Sequence, residues 1–270
     1  MGICKTISIV FLVMVLILFE VNSQDLPESH FFDSNGIRIH YIERGSGAPV
    51  ILLHGNTGSV ESWTGNGIFQ EFEEDYRVIA FDARGHGKSD KPHDVASYGS
   101  EMSQDIIRLM DHLKIDKAHV VASSMGVRVF GKLMPALPDR FLSAVLIGFA
   151  PKWGWTANDQ SAVEERAENR LNNPSQRLLD EGQDIQALAT LVLGFHELVI
   201  TDDEVKNIQI PTITIIGSED RYLFRIKEMK DLKPEMELLI IDGEKHGLRN
   251  LAPHPEFLET VKRFLSEHDP

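Results

Sequence analysis

Side chains of the three types that cooperate in nucleophilic catalysis follow short apolar runs in this sequence. Ser123 and Ser124 follow one run. The carboxylates Glu219 and Asp220 follow a later run, and His246 follows the last one. A serine hydroxyl is a poor nucleophile unless an adjacent base takes its proton while a third group holds that base in place. Attack of a serine on a carbonyl carbon is therefore the chemistry that these residue types offer.

The apolar runs alternate with stretches of helical spacing, and continuous runs of this length suit strands buried in a parallel sheet. Ahead of them, Asn35-Gly36 between two extended segments predicts an antiparallel hairpin. The remaining predicted strands span residues 49–53, 77–81, 118–122, 143–147, 211–216 and 236–241. This order predicts a doubly wound α/β domain with a mostly parallel central sheet and helices on both faces.

Residues 151–210 interrupt this alternation, because they separate two predicted strands without containing one. One stretch within them has apolar residues at positions i, i+3, i+4, i+7 and i+8, which is typical of an amphipathic helix. These apolar residues are Ile185, Leu188, Ala189, Val192 and Leu193. The interval is therefore predicted to be a small helical cap inserted into the domain.

The sequence around Ser124 resembles the nucleophile elbow of the α/β-hydrolase fold superfamily. That motif reads small-x-Ser-x-small between a strand and a helix, because the serine lies on a strained turn where larger neighbours would collide with backbone. Ala122 and Gly126 satisfy the pattern, although the family more often has glycine where this chain has Ala122. Ser123 is the alternative nucleophile, but it would place Val121 at a crowded position.

The resemblance also implies the other two members of a triad, in the chain order Ser, acid, His. In similar enzymes the acid is the carboxylate three residues after the glycine that ends its strand. That position is Asp220, and Glu219 is the alternative. The family's histidine lies in the loop before the final helix, where this chain has His246, whereas His254 is expected at the surface. The implied catalytic residues are Ser124, Asp220 and His246.

The family stabilises the oxyanion with backbone N–H groups from the residue after the nucleophile and from the loop after the third strand. In this chain those residues are Met125 and Asn56. His54 and His86 occupy positions that shape loops in similar proteins, so both are interpreted as scaffold. The aromatic residues Trp153, Trp155 and Phe195 are the predicted substrate-binding residues, with the alternative that they join the cap to the core.

The composition limits the partners of the protein. The chain has 270 residues and a formal net charge of -14, from 27 Lys+Arg against 41 Asp+Glu. Such a surface repels phosphate backbones, so nucleic acid is not an expected partner. It favours neutral or cationic ligands, and we expect a neutral ester as the substrate. The single cysteine, Cys4, excludes multi-cysteine metal sites. The triad chemistry requires no metal or organic cofactor, and the sequence predicts no oligomeric state.

Residues 1–23 have the pattern of a signal peptide, with Lys5 ahead of an apolar run too short to span a bilayer and small residues before the predicted cleavage site. The mature hydrolase domain is then residues 24–270. Export to a periplasm or to the medium is expected, with no other membrane association. An uncleaved anchor and myristoylation at Gly2 are the alternatives.

These features together predict an exported serine hydrolase that cleaves small carboxylic esters, lactones included, through an acyl-enzyme. Hydrolysis of carbon–carbon or amide bonds and acyl transfer to an acceptor other than water use the same triad and stay open. A non-catalytic binding protein or sensor on this fold is a further alternative. Haloalkane dehalogenases and epoxide hydrolases are similar but use an aspartate nucleophile, so a serine at position 124 disfavours both activities.

Overall fold

A sheet of eight strands runs through the protein. The computed structural model describes residues 27–151 and 160–270, so the predicted signal peptide and the residues Trp153 and Trp155 lie outside the described part. The strands are β1 (His30–Ser34), β2 (Ile37–Arg44), β3 (Pro49–Leu53), β4 (Arg77–Phe81), β5 (Ala118–Ser123), β6 (Phe141–Ile147), β7 (Thr212–Gly217) and β8 (Glu237–Ile241). Their order across the sheet is β1-β2-β4-β3-β5-β6-β7-β8. β2 pairs antiparallel with β1 and with β4, and the other pairs are parallel.

The turn between β1 and β2 is the predicted hairpin. Asn35 and Gly36 have φ values of 57° and 82°, as a two-residue type I′ turn requires. β3 and β4 have the predicted bounds, and β5 to β8 differ from them by one or two residues at an end. The prediction of a mostly parallel α/β sheet is confirmed.

Helices cover both faces of the sheet. In chain order the α-helices are α1 (Glu61–Thr64), α2 (Ile68–Glu73), α3 (Ser100–His112), α4 (Met125–Gly131), α5 (Leu133–Ala136), α6 (Gln160–Asn172), α7 (Gln176–Asp180), α8 (Ile185–Gly194), α9 (Asp202–Lys206), α10 (Leu223–Leu232), α11 (Leu248–Leu251) and α12 (Pro255–Ser266). Ile51 of β3 packs in a core with α3, α4 and α10, whereas Leu52 packs in a second core with α1, α2 and α12. None of these helices is long and apolar enough to cross a membrane.

The predicted cap interval contains α6 to α9 and no strand in its described part. Asp184 begins α8 by accepting a hydrogen bond from the Ala187 N–H. α8 then buries Leu188, Leu191 and Val192 in the same core as α4. α6 packs against α8. The helices α6 to α9, called the cap below, therefore lie on the face of the sheet that also carries α4.

Candidate active site

Ser124 lies on the turn that joins β5 to α4. Its φ of 49° and ψ of -101° place a non-glycine residue in the sparsely populated positive-φ region, which costs about 1–3 kcal/mol unless the surroundings hold it. The Ser124 N–H donates to the Ile147 carbonyl at 2.9 Å and so fixes the turn to β6. A Cβ on Gly126 would lie 2.6 Å from the Leu53 carbonyl oxygen, so α4 approaches β3 too closely for any side chain there.

A continuous line of hydrogen bonds connects Ser124 to a buried carboxylate. Ser124 Oγ lies 3.0 Å from Nε2 of His246, and Nδ1 of His246 lies 2.8 Å from Oδ2 of Asp220. The other oxygen of Asp220 accepts from the Tyr222 N–H at 2.9 Å. An ionised carboxylate can only accept, so Nδ1 carries a proton and Nε2 is left to accept from the serine hydroxyl. This tautomer is the one that a general base needs.

Backbone at the end of β6 approaches this line closely. Gly148 has a φ of 68°. A Cβ at this position would lie 3.3 Å from His246 Nδ1 and 3.5 Å from Asp220 Oδ2. The Tyr222 ring meets the imidazole edge-on, with centroids 5.0 Å apart. The imidazole is therefore held between a bare backbone and an aromatic ring, which restricts its position.

The alternative residues for the three roles lie outside this line of hydrogen bonds. Ser123 is the last residue of β5 and its side chain is buried. Glu219 is exposed. His254 precedes α12, where its Nε2 lies 2.9 Å from Oε1 of Glu244. The structure brings together Ser124, Asp220 and His246, and it brings none of these alternatives into the line of hydrogen bonds.

The loop after β3 lies against the elbow. A Cβ on Gly55 would be only 3.5 Å from the Cβ of Ser124. Asn56 follows directly, and Met125 is the first residue of α4, where a backbone N–H has no partner within the helix. Both residues thus lie beside Ser124, and their role as oxyanion donors stays a prediction.

His54 connects this loop to the backbone that follows β4. The Ala83 N–H donates to His54 Nε2 at 3.0 Å, so the ring proton is on Nδ1, which lies 2.8 Å from the Gly55 carbonyl. Burial lowers the pKa of His54 and keeps it neutral. Burial and repulsion from His54 lower the pKa of His86 to about 3. Both histidines are buried in loop contacts, in agreement with their interpretation as scaffold.

The carboxylate that organises the neighbouring loops, Asp82, was not identified from the sequence. Asp82 accepts hydrogen bonds of 2.8 Å each from the Val60 N–H, the Lys88 N–H and the imidazole of His40. Burial opposes its ionisation, but these hydrogen bonds and the nearby His54 outweigh burial and lower its pKa to about 2. A Cβ on Gly87 would overlap this carboxylate. The Gly87 position in the sequence was the one available signal, because it follows a strand and permits such an approach.

A cavity of about 780 Å³ opens onto Ser124 and His246. It lies between the loop after β3, the loop after β7 and cap helices α6 and α7. Five arginines of the described part of the chain line it and were not singled out from the sequence: Arg166, Arg170, Arg177, Arg221 and Arg249. Arg166 and Arg170 are four residues apart on α6 and so share one helix face, which was the signal available in the sequence.

Arg177 ties the cap to the loop after β3. Its guanidinium donates to the Thr57 hydroxyl at 3.1 Å and to the Glu181 carboxylate at 2.8 Å. Gln183 also reaches the Thr57 carbonyl, at 3.5 Å. The cap and the predicted oxyanion loop are therefore connected through one residue, Thr57.

The predicted substrate-binding residue Phe195 is not brought to the cavity. It is buried, and the Arg128 guanidinium lies 4.6 Å from the centre of its ring. The other two predicted residues, Trp153 and Trp155, lie outside the described part of the chain. Within residues 27–151 and 160–270, no group of three or more His, Cys, Asp or Glu side chains is arranged to hold a metal ion.

Comparison with known proteins gives four informative similarities. A sequence model described as alpha/beta hydrolase fold matches residues 48–200. A non-heme chloroperoxidase from Streptomyces lividans is 29% identical over 268 residues, covering 83% of this chain and 94% of the relative. A dihydrolipoyllysine-residue acetyltransferase component of an acetoin cleaving system from Cupriavidus necator is 35% identical over 142 residues, covering 50% of this chain but only 37% of the relative. A solved thermophilic esterase from Thermogutta terrifontis superposes with a TM-score of 0.76 at 19% identity, covering 90% of this chain and all of that one.

Proposed function

The chain belongs to the alpha/beta hydrolase fold family, and within it we propose a serine hydrolase that cleaves carboxylic esters, lactones included, through an acyl-enzyme. The observation that carries this proposal is the unbroken line of hydrogen bonds from Asp220 through His246 to Ser124 on a strained turn. A serine held at positive φ beside an imidazole nitrogen that can accept its proton supports a role in nucleophilic attack.

In the acylation half-reaction, Ser124 Oγ attacks the ester carbonyl carbon while His246 Nε2 takes the hydroxyl proton. Asp220 stabilises the imidazolium that forms. The carbonyl oxygen becomes an oxyanion, for which we propose the Asn56 and Met125 N–H groups as donors. Collapse of the tetrahedral intermediate breaks the bond to the alcohol oxygen, which leaves with the proton from His246.

In the deacylation half-reaction, water takes the place of the alcohol. His246 removes one proton from the water as its oxygen attacks the acyl carbon. The second tetrahedral intermediate expels Ser124 Oγ, which recovers a proton from His246. The products are a carboxylic acid and an alcohol, and the enzyme returns to its starting state without a cofactor.

We also propose that residues 1–23 direct export and are then removed, which would place the enzyme in a periplasm or in the medium. The pattern of Lys5, an apolar run and small residues before position 24 supports this proposal. Expression of the full chain in a secreting host, followed by N-terminal sequencing of the exported protein, should find a start near Gln24. Retention of residue 1 on a membrane-bound product would instead indicate an anchor.

Labelling with a fluorophosphonate probe tests the serine assignment without a choice of substrate. We expect covalent modification of Ser124, located by mass spectrometry, in the wild-type protein. The label should be absent from Ser124→Ala and slowed at least about 10³-fold in His246→Ala. Ser123→Ala is the matched control, and it should retain the label. A label on Ser123, or none in folded wild-type protein with both this probe and a smaller organophosphate, would overturn the proposal.

A further inference from the structure

The cavity at Ser124 is basic, although the protein as a whole is acidic. Among the described residues, its lining contains five arginines and one carboxylate, Glu61, in a chain whose net charge is -14. A ligand in a cavity responds to nearby charges more than to distant ones, because solvent screens charges over about 8–10 Å. The net charge therefore does not describe the field that a substrate meets at this site.

The five arginines differ in the hydrogen bonds and ring contacts that they already make. Arg177 donates to Glu181 and Thr57, and Arg221 lies over the Tyr222 ring with its guanidinium carbon 4.8 Å from the ring centre. Arg170 is different, because its Nη1 is shielded from water and has no acceptor among the described residues. A buried guanidinium nitrogen without an acceptor is costly, since it has lost water and gained nothing in return.

Neighbouring positive charges increase this cost. Burial and repulsion from Arg166 lower the pKa of Arg170. Arg128, on the helix that follows the nucleophile, is 6% exposed and also has an Nη1 without an acceptor in the described part of the chain. Burial and repulsion from Arg166 lower its pKa to about 10. Arg166 thus repels both Arg170, which lines the cavity with it, and Arg128, and a bound anion would offset this repulsion.

We propose that the ester substrate carries a second, ionised carboxylate, which Arg170 binds with Arg166 beside it. This inference rests on the proposed serine hydrolase and replaces the expectation of a neutral substrate. A guanidinium donates two parallel N–H groups to a carboxylate, and this geometry gives both attraction and orientation. The substrate class is the half-ester of a dicarboxylic acid, or a lactone that bears a free carboxylate.

Matched esters test this inference. Monomethyl esters of the straight-chain diacids from succinate to suberate would be compared with methyl esters of the monoacids of equal length, by pH-stat. We expect the best half-ester to exceed its neutral partner at least tenfold in kcat/KM. Arg170→Met keeps the apolar stem and removes the charge, so it should lower kcat/KM at least tenfold more for the half-ester than for its neutral partner and thereby abolish the preference. Added NaCl should lower kcat/KM for the half-ester only.

Arg263→Ala is the matched control. It removes the same unit of charge from α12, where Arg263 pairs with Glu237 and Glu267 at the surface, and it should leave the preference intact. Equal turnover of both ester series, or a preference that survives in Arg170→Met, would overturn the inference. The inference would also be overturned if the protein hydrolysed no half-ester while its Ser124 still reacted with the fluorophosphonate. Failure of that labelling reaction itself would count against the serine hydrolase, which keeps the two failures distinguishable.

Discussion

The two sides of the cavity satisfy their polar groups in opposite ways. On the sheet side, Asp220 and Asp82 are buried and both of their carboxylate oxygens accept hydrogen bonds. On the cap side, Arg170 of α6 has a shielded nitrogen without an acceptor among the described residues, and so does Arg128 of α4, on the same face of the sheet. A group that is already satisfied fixes geometry, whereas a group that is unsatisfied is available to a ligand. Under the proposed function, the sheet side carries the reacting groups and the cap side binds the substrate carboxylate.

The largest effect is expected from removing the proposed nucleophile on the sheet side. Ser124→Ala should lower kcat for ester hydrolysis at least about 10⁴-fold, because the attacking oxygen is lost. Binding of a half-ester should stay within about threefold of wild type, since the cap arginines remain. Activity and equilibrium dialysis with a radiolabelled half-ester would measure the two quantities. Equal loss of both would show that reaction and recognition are not separated in this cavity.

Gly148→Ala tests how tightly the imidazole is held. The new Cβ would lie 3.3 Å from His246 Nδ1 and 3.5 Å from Asp220 Oδ2. A displaced imidazole should reduce kcat about 10- to 100-fold, because reaction depends steeply on alignment. Gly36→Ala is the matched control, since it has a comparable positive φ but no atom within 4 Å of the added Cβ. Its kcat should be unchanged even where its stability falls.

Asp82→Asn should lower the free energy of unfolding and remove part of the dependence of that free energy on pH. The pKa of Asp82 falls from 3.8 to about 2 on folding, so ionised Asp82 stabilises the fold by about 2 kcal/mol above pH 4. This contribution is lost as the pH falls from about 4 to 2. Urea unfolding of wild type and variant should therefore show a difference of about 2 kcal/mol at pH 7 that narrows toward pH 2. Asp139→Asn, at an exposed site, should show no such difference at either pH.

The smallest effect is expected at Arg128, which lies on α4, on the face of the sheet that carries the cap. Arg128→Met removes a buried charge that lacks one acceptor, together with its contacts to the Phe149 and Phe195 rings. The relief of desolvation and the lost ring contacts oppose each other, so the free energy of unfolding should change by less than about 1 kcal/mol. A loss above about 2 kcal/mol in urea unfolding would place Arg128 among the satisfied groups and weaken the contrast between the two sides.

The same contrast explains what could be predicted from the sequence. The bounds of β3 and β4 followed from apolar runs, because buried parallel strands select such residues locally. The small residues at Ala122 and Gly126 identified the turn for a similar reason, and the chain order suggested Asp220 and His246. The structure places these residues together, whereas the catalytic roles assigned to them stay proposals.

The residues that the sequence did not reveal act across long separations. Asp82 joins His40 to Val60 and Lys88, and no local pattern marks a carboxylate that will receive three donors. Arg166 and Arg170 lie on a charged helix that is typical of a solvated surface. The packing of α6 over the cavity, which the sequence pattern does not show, brings both side chains into the cavity lining. The expectation of a neutral ligand came from the net charge, which does not say where the charges lie, and both it and the proposed anionic substrate stay predictions.

The bond between Arg177 and Thr57 sets a limit on how this scaffold can be redesigned. A cap that swings outward to admit bulkier esters has to release Thr57, and the loop beside Ser124 then loses one of its restraints. Access to the site and speed of reaction are therefore opposed through the hydrogen bonds that Arg177 and Gln183 make to Thr57. A directed-evolution campaign for larger substrates should accumulate changes first near Arg177, and its winners should lose turnover rate on small esters before they gain it on large ones.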